Sequence, residues 1–258
     1  MAPIPLTAEA LNAVIAGYFL PFVRIGAMVT AAPVFSAMSV PTRVRLVFAL
    51  ALTAVIAPTV GPVAGFQPFS LAGVGMILAE MLVGLAMGFL LNLAFAAFIV
   101  AGQIVAMQMG LGFASMIDPS NGAQAPVLSM FYLLLVTLLF FSMDGHHLLI
   151  LLVHESFARL PPGTGLLTAD YWRVALWGTE MFAGALLVAL PAVVALLMVN
   201  GALGVMSRAA PQLNIFAVGF ILTIAGGFLV MTFTLPSVLW HLRDLLQAVF
   251  AAMAALGS

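Results

Sequence analysis

Six long apolar runs dominate the sequence and limit the environment in which it can fold. They cover residues 10–35, 44–60, 70–106, 127–157, 174–199 and 215–239. An α-helix rises about 1.5 Å per residue, so roughly 20 apolar residues cross the ~30 Å hydrocarbon layer of a bilayer. The runs therefore predict an all-α, polytopic membrane protein built from helical hairpins.

The charge content excludes a soluble globule. Charged residues make up 6% of the chain and hydrophobic residues 65%, whereas a soluble domain carries about 25% charged residues. A net charge of -1 offers no basic surface to nucleic acid, so we predict no nucleic-acid partner. The chain has no Cys and no Lys, which excludes thiolate chemistry, Cys-ligated metals and the P-loop lysine of nucleotide hydrolases.

Catalytic motifs are incomplete. His154 and Glu155 begin the HExxH pattern of zinc proteases, but Ala158 occupies the place of the second histidine ligand. The GxSxG turn of serine hydrolases is absent from the sequence. We predict no catalytic residues, no metal site and no cofactor, and hence a protein that is not an enzyme.

A polar interval at residues 159–173, rich in Pro and Gly, is the one convincing internal boundary. It predicts a larger part at residues 1–158, a linker at 159–173, and a smaller part at 174–258. The smaller part reads as one long helical hairpin with its turn near residues 200–214, followed by an amphipathic helix from His241.

The fourth apolar run has a polar centre, Asp144-Gly145-His146-His147. The run is either one bent span or two short ones, and length alone does not decide between them. Orientation by the distribution of Arg between the two sides depends on that choice, so the sequence leaves it open.

The most informative break lies at residues 103–126, where Gly110, Gly112, Asp118 and Pro119 interrupt an apolar pattern. Irregular backbone at membrane depth persists only where protein buries it or where it lines an aqueous cavity. Deformable methionines within the break suit an apolar constriction that can close and yield. The break predicts a pore-closing loop, and a packed turn in the core is the alternative.

Several ionisable groups lie inside the apolar runs. Each costs roughly 3 kcal/mol at mid-bilayer on insertion scales, so each needs a partner or a water-lined cavity. We favour structural ion pairing over a proton or solute path. The groups are Arg24, Glu80, Asp144, His146, His147, Glu180 and, near a turn, Arg208, and the first five are the candidate structural residues. Adjacent residues point about 100° apart on a helix, so we expect the two histidines to bond backbone at a bend instead of sharing a metal.

Gly84 and Gly88 have the small-xxx-small spacing that lets helices approach closely in membranes. The alternative is chance, because the chain holds 23 glycines. The pattern predicts a tight helix contact in the third apolar run.

Three stretches resemble the FliR family of flagellar export proteins, whose virulence counterparts belong to type III secretion systems. They are LPFVRIGAMVTAAPVFSAMSVPTRVR at 20–45, GQIVAMQMGLGFASMIDPSNGAQAPVLSMFYLLLVTLLFFSMDGHH at 102–147, and LGVMSRAAPQLNIFAVGF at 203–220. The resemblance implies an R-type subunit joined to P-type (FliP) and Q-type (FliQ) subunits in the flagellar protein-export gate. FlhB and FlhA would lie alongside, in the inner membrane of the basal body, and unfolded flagellar subunits would pass through.

The resemblance also implies roles for individual segments. The N-terminal part would resemble a P-type subunit and the C-terminal hairpin a Q-type subunit, with the linker joining them. Residues 107–116 would form the plug loop of the closed channel, and residues 207–216 the hairpin tip. The plug residues are Met107, Met109, Gly110, Leu111, Gly112, Phe113, Ala114, Ser115 and Met116, and the tip residues are Arg208, Pro211, Gln212 and Asn214.

A secondary transporter or proton channel using the intramembrane charges is the alternative function. Such a protein should show paired inverted repeats with matching broken helices. The two parts of this chain differ in their number of apolar runs, and only the first contains a broken apolar loop. The sequence therefore favours the export gate.

Overall fold

The computed structural model describes residues 8–36, 40–61, 63, 66–111, 127–209 and 215–257, and all regular structure within them is helical. The helices are α1 (Ala8–Ala31), α2 (Thr42–Val60), α3 (Leu71–Gln108), α4 (Val127–Ser142), α5 (Gly145–Arg159), α6 (Gly165–Thr168), α7 (Tyr171–Ala209) and α8 (Ile215–Ala254), followed by a 3-10 turn at Ala255–Gly257. The predicted all-α fold is confirmed.

Within the described residues, five helices are long and apolar enough to cross a membrane: α1, α2, α3, α7 and α8. The fourth apolar run divides into α4 and α5, which are bent by 69° at the break between them. They contain 16 and 15 residues, fewer than the ~20 that a crossing requires. The pair is therefore a single broken span or a re-entrant loop.

Two predicted helix ends are wrong. The turn expected from residue 200 begins later, because α7 continues through Asn200 to Ala209. The amphipathic segment from His241 is part of α8, which runs through Pro236 to Ala254 without a break. Gly201 and Gly204 do not end α7, because a Gly costs only about 1 kcal/mol inside a helix. Pro236 does not end α8, because transmembrane helices tolerate Pro.

Contacts between Cα atoms group the chain into two compact units. Unit 1 comprises Met1–Leu93, Asp144–Trp177 and Ala248–Ser258, and unit 2 comprises Ala94–Met143 and Gly178–Gln247. Both units draw on both sides of the predicted linker. The division of the sequence into two fused building blocks at that linker stays a prediction.

In unit 1, α1 packs against α2 and lies very close to α3. A Cβ atom added to Gly84 would be 2.9 Å from the Cβ of Ala27, and one added to Gly88 would be 2.5 Å from the Cβ of Ala31. Real Cβ atoms essentially never show separations under 3.0 Å. The close helix approach predicted from the spacing of these glycines is confirmed.

In unit 2, the second half of α3 runs antiparallel to α4. The rings of Phe95 and Phe140 meet edge to face with centroids 5.5 Å apart, and a Cβ on Gly102 would lie 2.9 Å from the Cα of Ser129. Residues 109–126 therefore connect adjacent ends of two packed helices.

The long hairpin in unit 2 is formed by α7 and α8, as predicted. A Cβ on Gly184 would lie 3.0 Å from Leu245, and one on Gly226 would lie 3.9 Å from Val199. Since the early residue of α7 faces the late residue of α8, the two helices are antiparallel.

Candidate gate loop and buried charge cluster

The plug loop expected from the sequence starts at a well-defined helix end. Met107 belongs to α3, so the loop begins later than predicted. The N–H of Gly110 donates to the carbonyl of Met107 at 3.1 Å, and that of Leu111 donates to the carbonyl of Ala106 at 3.0 Å. These two bonds form a Schellman motif, with Gly110 at φ +79° as its left-handed residue. The motif fixes the direction in which the chain leaves α3.

Met109 precedes that glycine and is fully buried. Its side chain lies across Gly227 of α8, where an added Cβ would be 2.6 Å from the Met109 Sδ and Cε atoms. Thr223, one helical turn earlier, is also buried, and its hydroxyl lies 3.5 Å from the Met109 carbonyl oxygen. We call Met109, Thr223 and Gly227 the loop-root contact.

Several predicted gate residues lie outside the described residues. They are Gly112, Phe113, Ala114, Ser115 and Met116 of the plug loop, and Pro211, Gln212 and Asn214 of the hairpin tip. Arg208 of the tip is exposed in the last turn of α7, where the helix dipole favours a positive charge. The plug and tip roles stay predictions.

Two of the predicted intramembrane charges pair with each other. Arg24 of α1 and Glu80 of α3 are both fully buried. The Arg24 Nε donates to Glu80 Oε2 at 2.8 Å, and Nη2 donates to Oε1 at 2.9 Å. Such bidentate geometry is the strongest form of this interaction.

Other groups complete the site around this pair. Arg24 also donates from Nη1 to the Ser156 hydroxyl at 3.0 Å and from Nη2 to the Leu160 carbonyl at 2.8 Å. The backbone N–H of Gly163 donates to Glu80 Oε1 at 3.0 Å. We call these five residues the buried charge cluster. It joins α1, α3, α5 and the start of the linker within unit 1.

The remaining predicted polar residues lie at the break between α4 and α5. The expectation that the two histidines diverge is wrong, since the ring centroids of His146 and His147 are 4.0 Å apart. Asp144 takes a left-handed conformation (φ 56°) immediately before α5. Both histidines thus lie in the first turn of α5, where no preceding turn restricts their rotamers.

Asp144 also contacts His147 directly. Its Oδ1 atom lies 3.2 Å from His147 Nδ1, and both side chains are largely exposed. One donor atom from each of Asp144, His146 and His147 lies within 4.8 Å of the others, a spacing that could hold a metal ion. Exposed groups of this kind are common without a metal, and the predicted absence of a metal site stays a prediction.

The incomplete zinc-protease motif has ordinary partners. His154 Nε2 lies 2.9 Å from the Thr59 hydroxyl of α2, while Glu155 pairs with Arg159 one turn along α5 at 2.8 Å. The two side chains therefore contact groups on different elements.

Comparison with known proteins places the chain in a family. The family model described as "Bacterial export proteins, family 1" matches residues 15–249. The chain belongs to this family. Flagellar biosynthetic protein FliR from Pectobacterium carotovorum subsp. carotovorum and that from Escherichia coli (strain K12) are each 37% identical over 238 residues, covering 92% of this chain and 91% of the relative. FliR from Bacillus subtilis (strain 168) is 32% identical over 245 residues, covering 92% of both chains.

The predicted FliR-family resemblance is thus confirmed. Sequence reasoning nevertheless missed residues that the structure brings to these two sites in this export-family member. The sequence did not indicate Ser156, Leu160 or Gly163. They contribute one hydroxyl, one backbone carbonyl and one backbone N–H, and such groups occur throughout the chain. Gly227 had one possible signal, since it follows Gly226 inside an otherwise bulky apolar run.

Proposed function

We propose that this component of the flagellar export apparatus is a membrane subunit of the export gate, and that residues 107–116 seal its channel. The observation that carries the proposal is the position of the loop in an export-family chain. It joins the packed ends of two apolar helices, and its first residues are held by the Schellman motif and the loop-root contact. Non-helical backbone at membrane depth needs protein or an aqueous cavity around it, and the apolar, glycine-containing sequence of this segment suits a position inside a channel.

The proposed partners are P-type and Q-type gate subunits (FliP and FliQ), with FlhB and FlhA nearby and unfolded flagellar subunits as cargo. Exposed apolar surface supports an assembly. Within this chain, 61% of the most apolar stretch of α3 is buried, against 33% for α7 and 22% for α8. Lipid or neighbouring subunits must cover the remainder, which suits a site in the bacterial inner membrane within the basal body.

In this proposal the protein helps to form and seal the export channel, and it catalyses no reaction. The part before the linker acts as the P-like building block and the hairpin of α7 and α8 as the Q-like one. The buried charge cluster has a structural role and holds α1, α3, α5 and the start of the linker together. A transporter or proton channel is less well supported, because the bidentate pairing of Arg24 with Glu80 occupies two of the ionisable groups that such a path would use.

The test is deletion of residues 110–114 in cells that assemble the flagellar gate. We expect the complex to assemble and the membrane to leak small ions, because the segment that closes the channel is gone. Ion leak and flagellin secretion are measured together with recovery of the complex. If the complex assembles and remains as tight to ions as the parent, the loop is not the seal.

A further inference from the structure

The loop-root contact leaves no room for a side chain at position 227 unless Met109 moves. Met109 lies across Gly227 so closely that an added Cβ would meet its Cγ, Cε and Sδ atoms. The two residues are far apart in sequence and belong to the same compact unit. The side chain of Met109 is fully buried, so it fills a notch in α8 that the missing side chain of Gly227 creates.

The neighbouring glycine provides an internal comparison. A Cβ on Gly226 would have Val199 as its nearest neighbour at 3.9 Å, an ordinary van der Waals distance. Helix propensity is the same for both positions. The two adjacent glycines therefore differ in their contacts: Gly227 lies against the Met109 side chain and Gly226 does not.

The backbone on the loop side turns directly after this residue. Met109 still donates its N–H to Val105 at 3.0 Å, as a helical residue does, and the left-handed Gly110 follows. A side chain held in the notch therefore fixes the last helical residue from which the loop departs. Methionine suits a reversible contact, because its unbranched thioether adapts and slides more easily than a branched side chain.

We propose that Met109 and Gly227 form a latch by which α8 holds the plug loop closed, and that the latch releases when the gate opens. The proposal rests on the sealing role proposed above for residues 107–116. It assigns a positioning role to Gly227, which lies outside both the plug loop and the hairpin tip. Movement of α8 would be transmitted to the plug through this contact.

The first test fills the notch in the assembled gate. Gly227→Ala should raise small-ion leak several-fold while the complex is still recovered, because Met109 must move out. Gly226→Ala should leave the leak at the parental level. Met109→Ala should itself leak, and adding Gly227→Ala to it should cause no further increase, since the shortened side chain no longer meets the added methyl group. Equal leak from the two glycine variants, or additive effects of the pair, would overturn the latch.

The second test locks the notch and does not depend on whether Gly227→Ala assembles. The chain contains no Cys, so Met109→Cys combined with Gly227→Cys introduces its only possible internal disulfide. The reduced double variant should leak, as Met109→Ala does; oxidation of the assembled gate should close that leak and stop flagellin secretion, and dithiothreitol should reverse both effects. Each single cysteine variant should be indifferent to oxidant. Normal secretion by gates shown to be cross-linked would contradict release of the latch during opening.

Deletion of residues 110–114 in the same cells separates failure of the latch from failure of the seal. If the deletion leaks and Gly227→Ala does not, the loop seals the channel without the latch, and only the latch is wrong. If neither variant leaks in an assembled complex, the sealing role and the latch are both wrong.

Discussion

At the scale of single residues, the buried charge cluster places two oppositely charged side chains in the interior of unit 1. Removing an ion pair from water carries a desolvation penalty of several kcal/mol per ion, which is offset only with good geometry and further hydrogen bonds. Arg24 and Glu80 meet both conditions, since their bidentate pair also binds Ser156, Leu160 and Gly163. The cluster is therefore far more sensitive to losing one charge than to losing both.

Glu80→Gln should destabilise the protein by about 3–5 kcal/mol, because it leaves the buried guanidinium of Arg24 without a counter-charge. The measurement is thermal unfolding of the detergent-purified protein, together with its level in membranes. Glu155→Gln is the matched control, since Glu155 also pairs with an Arg at 2.8 Å but in a partly exposed site. It should change stability by less than about 1 kcal/mol.

Replacing both charged residues distinguishes a structural role of the Arg24–Glu80 pair from a role in proton transport. Arg24→Met combined with Glu80→Met should be less destabilising than Glu80→Gln alone, because no unpaired charge is left buried. Gates that contain this double variant should secrete flagellin in proportion to the amount assembled. Full assembly without secretion would instead favour a role for these charges in transport.

Sequence reasoning found both charged residues of this cluster but not their pairing. An ionisable residue in an apolar run signals that some partner is needed. It does not identify which one, because Arg24 and Glu80 lie 56 positions apart and no local pattern connects them. The loop-root contact is hidden for the same reason, since it depends on how α3 and α8 pack.

At the scale of the element, glycines on one face of α3 allow α1 to pack closely against it. Gly84→Ala should destabilise the protein by about 1–3 kcal/mol, as overpacking does, because the new methyl group would collide with Ala27 and with the Arg24 carbonyl of α1. Gly75→Ala in the same helix meets nothing within 4 Å. It should be neutral or stabilising by up to about 1 kcal/mol through helix propensity. Unfolding midpoints of the two variants in one detergent test the difference, and equal midpoints would contradict the close approach.

The end of α3 makes a separate prediction. Gly110→Ala should cost about 1–2 kcal/mol, because the left-handed conformation at φ +79° brings Cβ too near the following carbonyl. Gly110→Asn should cost less, since Asn adopts this conformation more readily at helix ends. Thermal unfolding compares the two variants. A larger loss for Asn than for Ala would mean that space in the loop, and not backbone conformation, requires glycine here.

The sequence predicted those helices whose existence follows from the length of an apolar run. The long apolar runs correctly predicted α1, α2, α3, α7 and α8, and the spacing of Gly84 and Gly88 correctly predicted a tight contact. Helix ends were harder, because Asn200 and the glycines that follow it suggest a turn but lower helix stability only slightly, and α7 continues through them. The bend between α4 and α5 was located by Asp144 and its neighbours, whereas its 69° angle depends on packing.

At the scale of the whole molecule, the apolar helices α7 and α8 leave most of their surface uncovered by the rest of the chain. Phe182 of α7 and Phe233 of α8 are 63% and 77% exposed. Soluble monomers rarely leave contiguous apolar patches of more than a few hundred Å². On a membrane protein the same surface can face either lipid or another subunit, and the two cases differ in what happens on assembly.

The proposed gate predicts that these faces are covered by neighbouring subunits. A spin label attached through Phe182→Cys or Phe233→Cys reports its environment without interference, because the chain has no other cysteine. Molecular oxygen concentrates in hydrocarbon, so the label should collide with oxygen frequently in the isolated protein in lipid. Reconstitution with P-type and Q-type subunits should reduce that collision rate several-fold at both positions, since packed protein excludes oxygen. An unchanged rate in a verified complex would assign these faces to lipid, and α7 and α8 would then be membrane anchors instead of a building block of the gate wall.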